Sequence, residues 1–454
     1  MEFFSKRSSW SYIDEDQRPL HSSADLSFKT HQGIYETEPP MSPARPSSAS
    51  MVSFAPSSPE STWAFSPQHH HQPPSPSPTL LCYCLASLHR HHGSVYSIAI
   101  SKGAVFTGSD SKRIRVWRQS ECIERGHIKA KSGHVNVILA FGNTLFTTHK
   151  DRKVRVWAFS ATDHFRSKKL ATLPQKARPL SFPRVQPQQH KDVITCMAFY
   201  NAEALLYTGS RDKTVKVWRL TNKKCVDSFI AHEDRVNAIL VNQGDGCVFT
   251  CSSDGLVKIW RRVYGESSHT LTISLSFQPS PVNALALSSS YKSCNLYSGS
   301  SDGLINFWEK EDDGGGRYSH GGFLQGHRFA VICLETIDKV VLSGSEDTTI
   351  RMWRREEESG FHVCLAVLEG HRGPVKCLSA CVEMEKVVVG YLVYSAGTDR
   401  TVKVWSIKLF PGEKKVMVVD DEEKDEDDEI DMKKRMCYEM SPVLSPSWVH
   451  RKRQ

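Results

Sequence analysis

Through the middle of the chain, apolar and polar residues alternate in short phrases that each end on tryptophan. They read RIRVW, KVRVW, TVKVW, LVKIW, LINFW, TIRMW and TVKVW, closing at Trp117, Trp157, Trp218, Trp260, Trp308, Trp353 and Trp405. A period of two sets the branched apolar residues on one face of a strand and the Arg, Lys or Asn on the other. More of the pattern recurs upstream. Asp151, Asp212, Asp254, Asp302, Asp347 and Asp399 stand six residues before a Trp, and Thr107, Thr147, Thr208, Thr250, Ser298, Ser343 and Ser395 stand ten before. The Trp residues are 40, 61, 42, 48, 45 and 52 residues apart. Short β-rich phrases repeating every ~40–45 residues mark the blades of a propeller. The pattern predicts an all-β, seven-bladed β-propeller.

The last repeat shows the strands within one unit. Pro374–Ala380 and Val387–Ser395 read as the first two strands, Gly397–Arg400 as a tight turn and Thr401–Trp405 as the third strand. β-Branched and aromatic residues suit a pleated, half-buried surface. A fourth strand, Cys364–Leu368, precedes Glu369-Gly370-His371, and its phrase CLAVL is echoed upstream by CLASL at Cys84–Leu88. Strand 80–88 is therefore expected to complete the blade that contains Trp405 and close the ring, covering edges that would otherwise invite pairing with other chains. The division expected is a Ser/Pro/His-rich disordered segment at 1–79, the propeller at 80–410 and a charged disordered tail at 411–454.

These phrases resemble the WD40 repeat family over about residues 80–410. The resemblance implies a buried network of Asp, His, Ser/Thr and Trp in each blade, with His91, His190, His232, His327 and His371 as the matching histidines. Lys131 and Gln278 stand where blades two and five would carry His, and Ser111 replaces the first Asp, so those three blades are expected to be less rigid there. Phrases such as HRHHGSVYSIAISKGAVFTGSDSKRIRVW and SFQPSPVNALAL look like the plant JINGUBANG-like branch. That likeness implies a non-enzymatic regulatory scaffold of a plant cell, in cytoplasm or nucleus. Within the WD40 resemblance, the loops that carry the His and Asp share one face, expected to be the docking face. Lys150, Arg211, Arg235, Arg328 and Arg372 fall there, with Glu346 as an acidic exception. The 61-residue gap adds the loop Pro174–Gln189, with Lys176, Arg178 and Arg184; long loops in compact folds are often functional.

Composition sharpens this reading. The formal net charge of +8 sits on the ring, because the tail beyond 410 holds the acidic run at 420–429 and the N-terminal segment is also net acidic. A basic ring draws acidic partner proteins, transcription regulators among them, and speeds their encounter. Two alternatives remain: a ring that binds RNA or phosphate, and a ubiquitin-ligase substrate receptor. Against the first, no aromatic-rich basic motif stands out; against the second, no Trp is followed by Asp. The Asp–His–Ser set recurs around the ring, whereas a catalytic triad is needed once, so it reads as structural. No enzyme, metal site or cofactor is expected, and the propeller is expected to be monomeric. Between Pro39 and Thr79 there are 11 Pro and 11 Ser, too polar a stretch to offset the entropy of ordering; His69-His70-His71 lies inside it. The 13 cysteines fit a reducing compartment as buried thiols, and no apolar run approaches the length of a membrane span.

Overall fold

The computed structural model describes residues 79–88, 93–119, 121–130, 132–161, 164–175, 188–263, 265–277, 279–289, 294–311, 316–337, 339–356, 359–385, 388–410 and 443–444. Every regular element among them is a β-strand. Seven sheets, each with four antiparallel strands, form seven blades; blade four adds a fifth, two-residue parallel strand, and in six blades the order of the four strands follows the chain. In blade three, for example, Ile194–Tyr200, Leu205–Ser210, Thr214–Arg219 and Lys224–Ile230 run in sequence from the inner edge outward. The inner strand of each blade neighbours that of the next, and Val375–Glu385 of blade seven returns to Val95–Ser101 of blade one. The chain is a closed seven-bladed propeller.

Apolar alternation builds the packing. Trp157 and Val135 of blade two lie in one core with Phe106 and Ile114 of blade one, and the same blade-on-blade contact recurs round the ring. Bulges fall at two fixed places, between the first and third residues of each inner strand and immediately before each Trp of blades one to six. A bulge increases local twist, which a propeller blade requires. Close approach between blades also constrains composition: a Cβ on Gly299 would sit 2.6 Å from Val331 Cγ1 of the next blade.

Three tyrosines tie alternate seams. Tyr207 of blade three meets His269 Nε2 of blade four at 3.1 Å, and Tyr297 of blade five meets His362 Nε2 of blade six at 2.9 Å. Tyr394 of blade seven donates to the Gln119 carbonyl of blade one.

Blade seven is discontinuous in sequence. Thr79–Leu88 runs antiparallel to the third strand, Val402–Phe410, from Thr79↔Phe410 to Leu88↔Val402. Its strands are longer than the phrase pattern predicts: Val375–Glu385 extends past Ala380, Val388–Gly397 includes a residue assigned to the turn, and the third strand passes Trp405. The continued burial of Tyr391 and Ile407 explains the extension. Val443–Leu444 pairs in parallel with Arg262–Val263, where the third strand of blade four outruns its neighbour. The expectations for 1–78, 411–442 and 445–454 lie outside the described residues.

Candidate functional site

Each blade places its hydroxyl on the second strand opposite the third-strand Trp, and all seven indoles donate Nε1–H to that oxygen at 2.8–3.3 Å. In blades three, four, six and seven the hydroxyl also lies 2.7–2.8 Å from Nε2 of His190, His232, His327 or His371. The Nδ1 of the same ring meets Asp212, Asp254, Asp347 or Asp399 at 2.7–3.0 Å. An ionised carboxylate needs a donor, so Nδ1 carries the proton and Nε2 accepts from the hydroxyl. A continuous chain of donors therefore runs from indole to carboxylate. The Asp also accepts from the backbone N–H two residues ahead and from the N–H that follows the His, as with Thr214 at 3.1 Å and Lys191 at 2.7 Å for Asp212. One carboxylate thus holds two loops together.

The electrostatics agree with neutral imidazole beside ionised carboxylate. Burial lowers the pKa of His190 and His327 despite their Asp partners. Burial opposes ionisation of Asp254 and Asp347, but hydrogen bonds from His232, Thr349 and neighbouring N–H groups prevail and bring both down to about 2. The same balance holds Asp212 and Asp399 well below the usual carboxylate range.

The three departing blades solve the problem differently. In blade one, Ser111 Oγ accepts from Arg113 N at 3.1 Å, the turn contact that Asp makes elsewhere. Asp110 takes over the loop contact, accepting from Ser94 N at 3.0 Å and lying 2.8 Å from His134 Nδ1. In blade two the imidazole comes from within the blade: His149 Nε2 lies 2.9 Å from Thr147 Oγ1, and Asp151 is held by Arg155 through two contacts of 2.6 and 3.1 Å. Burial, reinforced by Arg155, lowers the His149 pKa to about 4. Blade two therefore has an imidazole on its hydroxyl and a partner for its Asp, but the two are separate and not joined as His and Asp are in blades three, four, six and seven. Sequence reading missed both, although THK at 148–150 departs visibly from the GSR and GSE of blades three and six. In blade five no described residue supplies an imidazole. Among the described residues Ser298 bonds only Trp308, and Asp302 accepts from Ser300 and from Leu304 N. His91, Lys131, Gln278, Lys176, Arg178 and Arg184 lie outside the described residues.

On the face that carries these turns, Lys150, Arg328 and Arg372 are exposed, whereas Arg211, Arg235 and Glu346 are half-buried. Arg235 donates Nε–H to Ser253 at 2.8 Å, and its pKa is lowered by burial and by the neighbouring charge of Arg211. The charges of Arg211 and Asp234 both reach Arg235, with opposite effects. Glu346 faces Lys376, whose pKa burial lowers. The face mixes charges toward blades three and four, where exposed Asp192, Glu233 and Asp234 share the loops with Lys191 and Arg235, as well as toward six and seven.

The family model described as WD domain, G-beta repeat matches residues 82–118, 183–219, 223–261, 267–309, 319–354 and 362–406, just over half of the chain. Every match ends on the third strand of a blade, and all but 183–219 begin on, or within two residues of, the outer strand of the blade before. The unmatched stretch 119–182 contains the rewired blade two. Among curated proteins the chain is similar to nuclear distribution protein nudF of Aspergillus niger, 26% identical over 48% of this chain and 37% of the relative. It is also similar to ribosome biogenesis protein YTM1 of Candida glabrata, 28% identical over 28% of each. GID complex subunit 7 of Schizosaccharomyces pombe is 45% identical over 16% of this chain and 13% of the relative. The aligned regions span well under half of the relatives' length.

Proposed function

The chain belongs to the WD40 repeat family, and we propose that it works as a regulatory adaptor whose arginine-bearing face docks proteins with acidic surfaces. The observation that carries the reading is that Arg211 and Arg235, near enough for their charges to interact, stand on turns anchored by buried His–Asp networks. Holding two like charges together favours an anionic partner, and the rigid turns reduce the ordering that binding requires. Lys150, Arg328 and Arg372 place further cations around the ring. The names of the relatives, a complex subunit and a biogenesis protein among them, fit an adaptor. The likeness to the plant JINGUBANG-like branch supports a setting in the cytoplasm or nucleus of a plant cell, with transcription regulators as candidate partners.

The test is recovery of partners from plant tissue by the full chain, by residues 79–410, and by the chain with Lys150, Arg211, Arg235, Arg328 and Arg372 reversed to Glu. A nuclease-resistant protein partner kept by the bare ring and lost on reversal is the expected result. Recovery abolished by nuclease would instead point to RNA, whose phosphate contacts the same guanidiniums would make.

A further inference from the structure

The outer strand of blade two, Arg166–Leu173, differs from the other six. Arg166 to Leu170 are all exposed, five residues in succession, whereas no other outer strand has more than three among its described residues. The strand carries three cations, Arg166, Lys168 and Lys169, and no acid. Four other outer strands carry neither Lys nor Arg, and the remaining two each include an acid, Glu124 or Asp227. Among the described residues, none of the three cations makes an ion pair or a side-chain hydrogen bond. The strand is also the last of its sheet, so no further described strand pairs its outer edge.

Blade one adds to the same rim. Its outer strand, Glu124–Lys129, comes close at Gly126, where a Cβ would stand 3.8 Å from Phe165 Cδ1. Arg125 is fixed at this seam, donating Nη1–H to the Ala161 carbonyl at 2.7 Å. The acid on that strand, Glu124, is held by Arg115 at 2.7 Å. Lys129, at the far end, is exposed. Leu170, 49% exposed, ends the open row with an apolar contact. The rim is thus a run of cations beside an open strand edge.

We propose that the edge of Arg166–Leu170 takes an extended acidic segment of a partner protein as an added strand of blade two. Main-chain pairing gives the affinity, and Arg166, Lys168 and Lys169 select the sequence. Side chains two apart on a strand share a face and stand ~7 Å from each other, so a strand with acids at alternate positions meets them in register. Lysines on an edge also repel unwanted strands. That role alone does not place them on one blade, since four outer strands of this ring do without them. A row of cations that bars neutral and basic strands still admits an acidic one. RNA can meet the cations but has no ladder of N–H and C=O groups to offer the edge. The chain's own run at 420–429 consists only of Asp, Glu and Lys, types that strands disfavour. The rim is separate from the face that carries Arg211 and Arg235, and either reading can fail alone.

The probe is a fluorescein-labelled peptide of alternating Glu and Val, titrated into the full chain at low salt and read by anisotropy. Hydrogen exchange of the amides at 166–170 is the second readout. Controls are the Gln-for-Glu peptide, which keeps the strand without the charge, a peptide with a central Pro, which keeps the charge without the pairing, and decauridylate. Each altered peptide should bind at least about tenfold more weakly, and the parent peptide should slow exchange at 166–170. Lys168→Glu with Lys169→Glu should weaken binding by at least about tenfold. Because both side chains are exposed, the melting temperature should stay near that of the parent. Lys224→Glu, on the outer strand of blade three, should leave the titration unchanged. A Pro peptide that binds as well as the parent, or unslowed exchange, would overturn strand addition. Binding undiminished by the lysine reversal or by Gln would overturn the selection by charge. Decauridylate bound more tightly than the peptide, and lost on the same reversal, would overturn the assignment to a protein segment.

Discussion

At the residue scale, stability turns on how many partners a buried hydroxyl serves. Thr208 receives the indole of Trp218 at 3.0 Å and donates to His190 at 2.8 Å, whereas among the described residues Ser298 serves only Trp308, at 3.3 Å. Thr208→Val leaves two buried groups unpaired and should cost ~2–4 kcal/mol; Ser298→Ala leaves one and should cost ~1 kcal/mol. Denaturant midpoints of the two variants check the difference, and equal losses would show that the imidazole contact adds nothing. His149 gives a second handle. Its folded pKa of about 4 lies below the ordinary 6.5, so the unfolded chain takes up a proton at a higher pH than the native protein. That contribution to stability is intact above pH ~6.5 and lost as pH falls through the window to about 4. It amounts to ~3 kcal/mol for this fully buried ring. His149→Ser should flatten the stability profile across that window even if it lowers stability at neutral pH; an unchanged slope would assign the acid sensitivity elsewhere. Thr348 offers a gain. It holds φ at +68°, a conformation a β-branched residue resists, where blades four and five use Gly255 and Gly303. Thr348→Gly should raise stability by ~1 kcal/mol, measured as a higher unfolding midpoint.

At the element scale, the blade repeat is legible in sequence because the same demands recur seven times. A third strand must alternate, a Trp must reach a hydroxyl ten residues back, and an Asp must close the turn. The Asp–His–hydroxyl–Trp network that the WD40 resemblance implies is present in blades three, four, six and seven. What escaped the pattern is what happens once. His149 fills an imidazole position from a strand end instead of a loop, so spacing from the inner strand cannot find it. Phe277 and His320 meet across 43 residues, and nothing in either phrase announces the stack. The tyrosine ties are similarly hidden: Tyr207 and Tyr297 reach histidines 62 and 65 residues away. The closing strand is the element whose removal tests the ring. Leu80 and Cys82 pack on the core that holds Trp405 and Ile407, and Ala86 and Leu88 pack on the seam with blade one. Burying a Leu side chain contributes ~1.5–3 kcal/mol, so deleting 79–88 should remove at least ~3 kcal/mol and expose the edge of Val402–Phe410. Broadened unfolding together with concentration-dependent association is expected. A monomer that unfolds in one sharp transition at the original midpoint would mean that the pairing adds nothing to closure.

At the scale of the whole molecule, charge is divided between ring and tail. The segment 420–429 carries nine acidic residues and one lysine, while the ring holds the positive excess and places Lys150, Arg328 and Arg372 in solvent. A tethered run of like charge is held at high effective concentration near its own ring, so it competes with an acidic partner without needing a specific contact. Such competition acts on encounter, and encounter rates respond to long-range charge more than dissociation does. Removing 411–454 should therefore raise the association rate for an acidic partner several-fold at ~10 mM salt, where the screening length is ~30 Å. The advantage should shrink as salt approaches ~150 mM, where that length falls to ~8 Å, while the dissociation rate stays nearly constant. Arg211→Glu with Arg235→Glu should move the association rate the opposite way in both the full and the shortened chain. If shortening instead lengthened the lifetime of the complex equally at both salts, the tail would be acting through a fixed contact. The pairing of Val443–Leu444 with Arg262–Val263 would then be the first place to mutate.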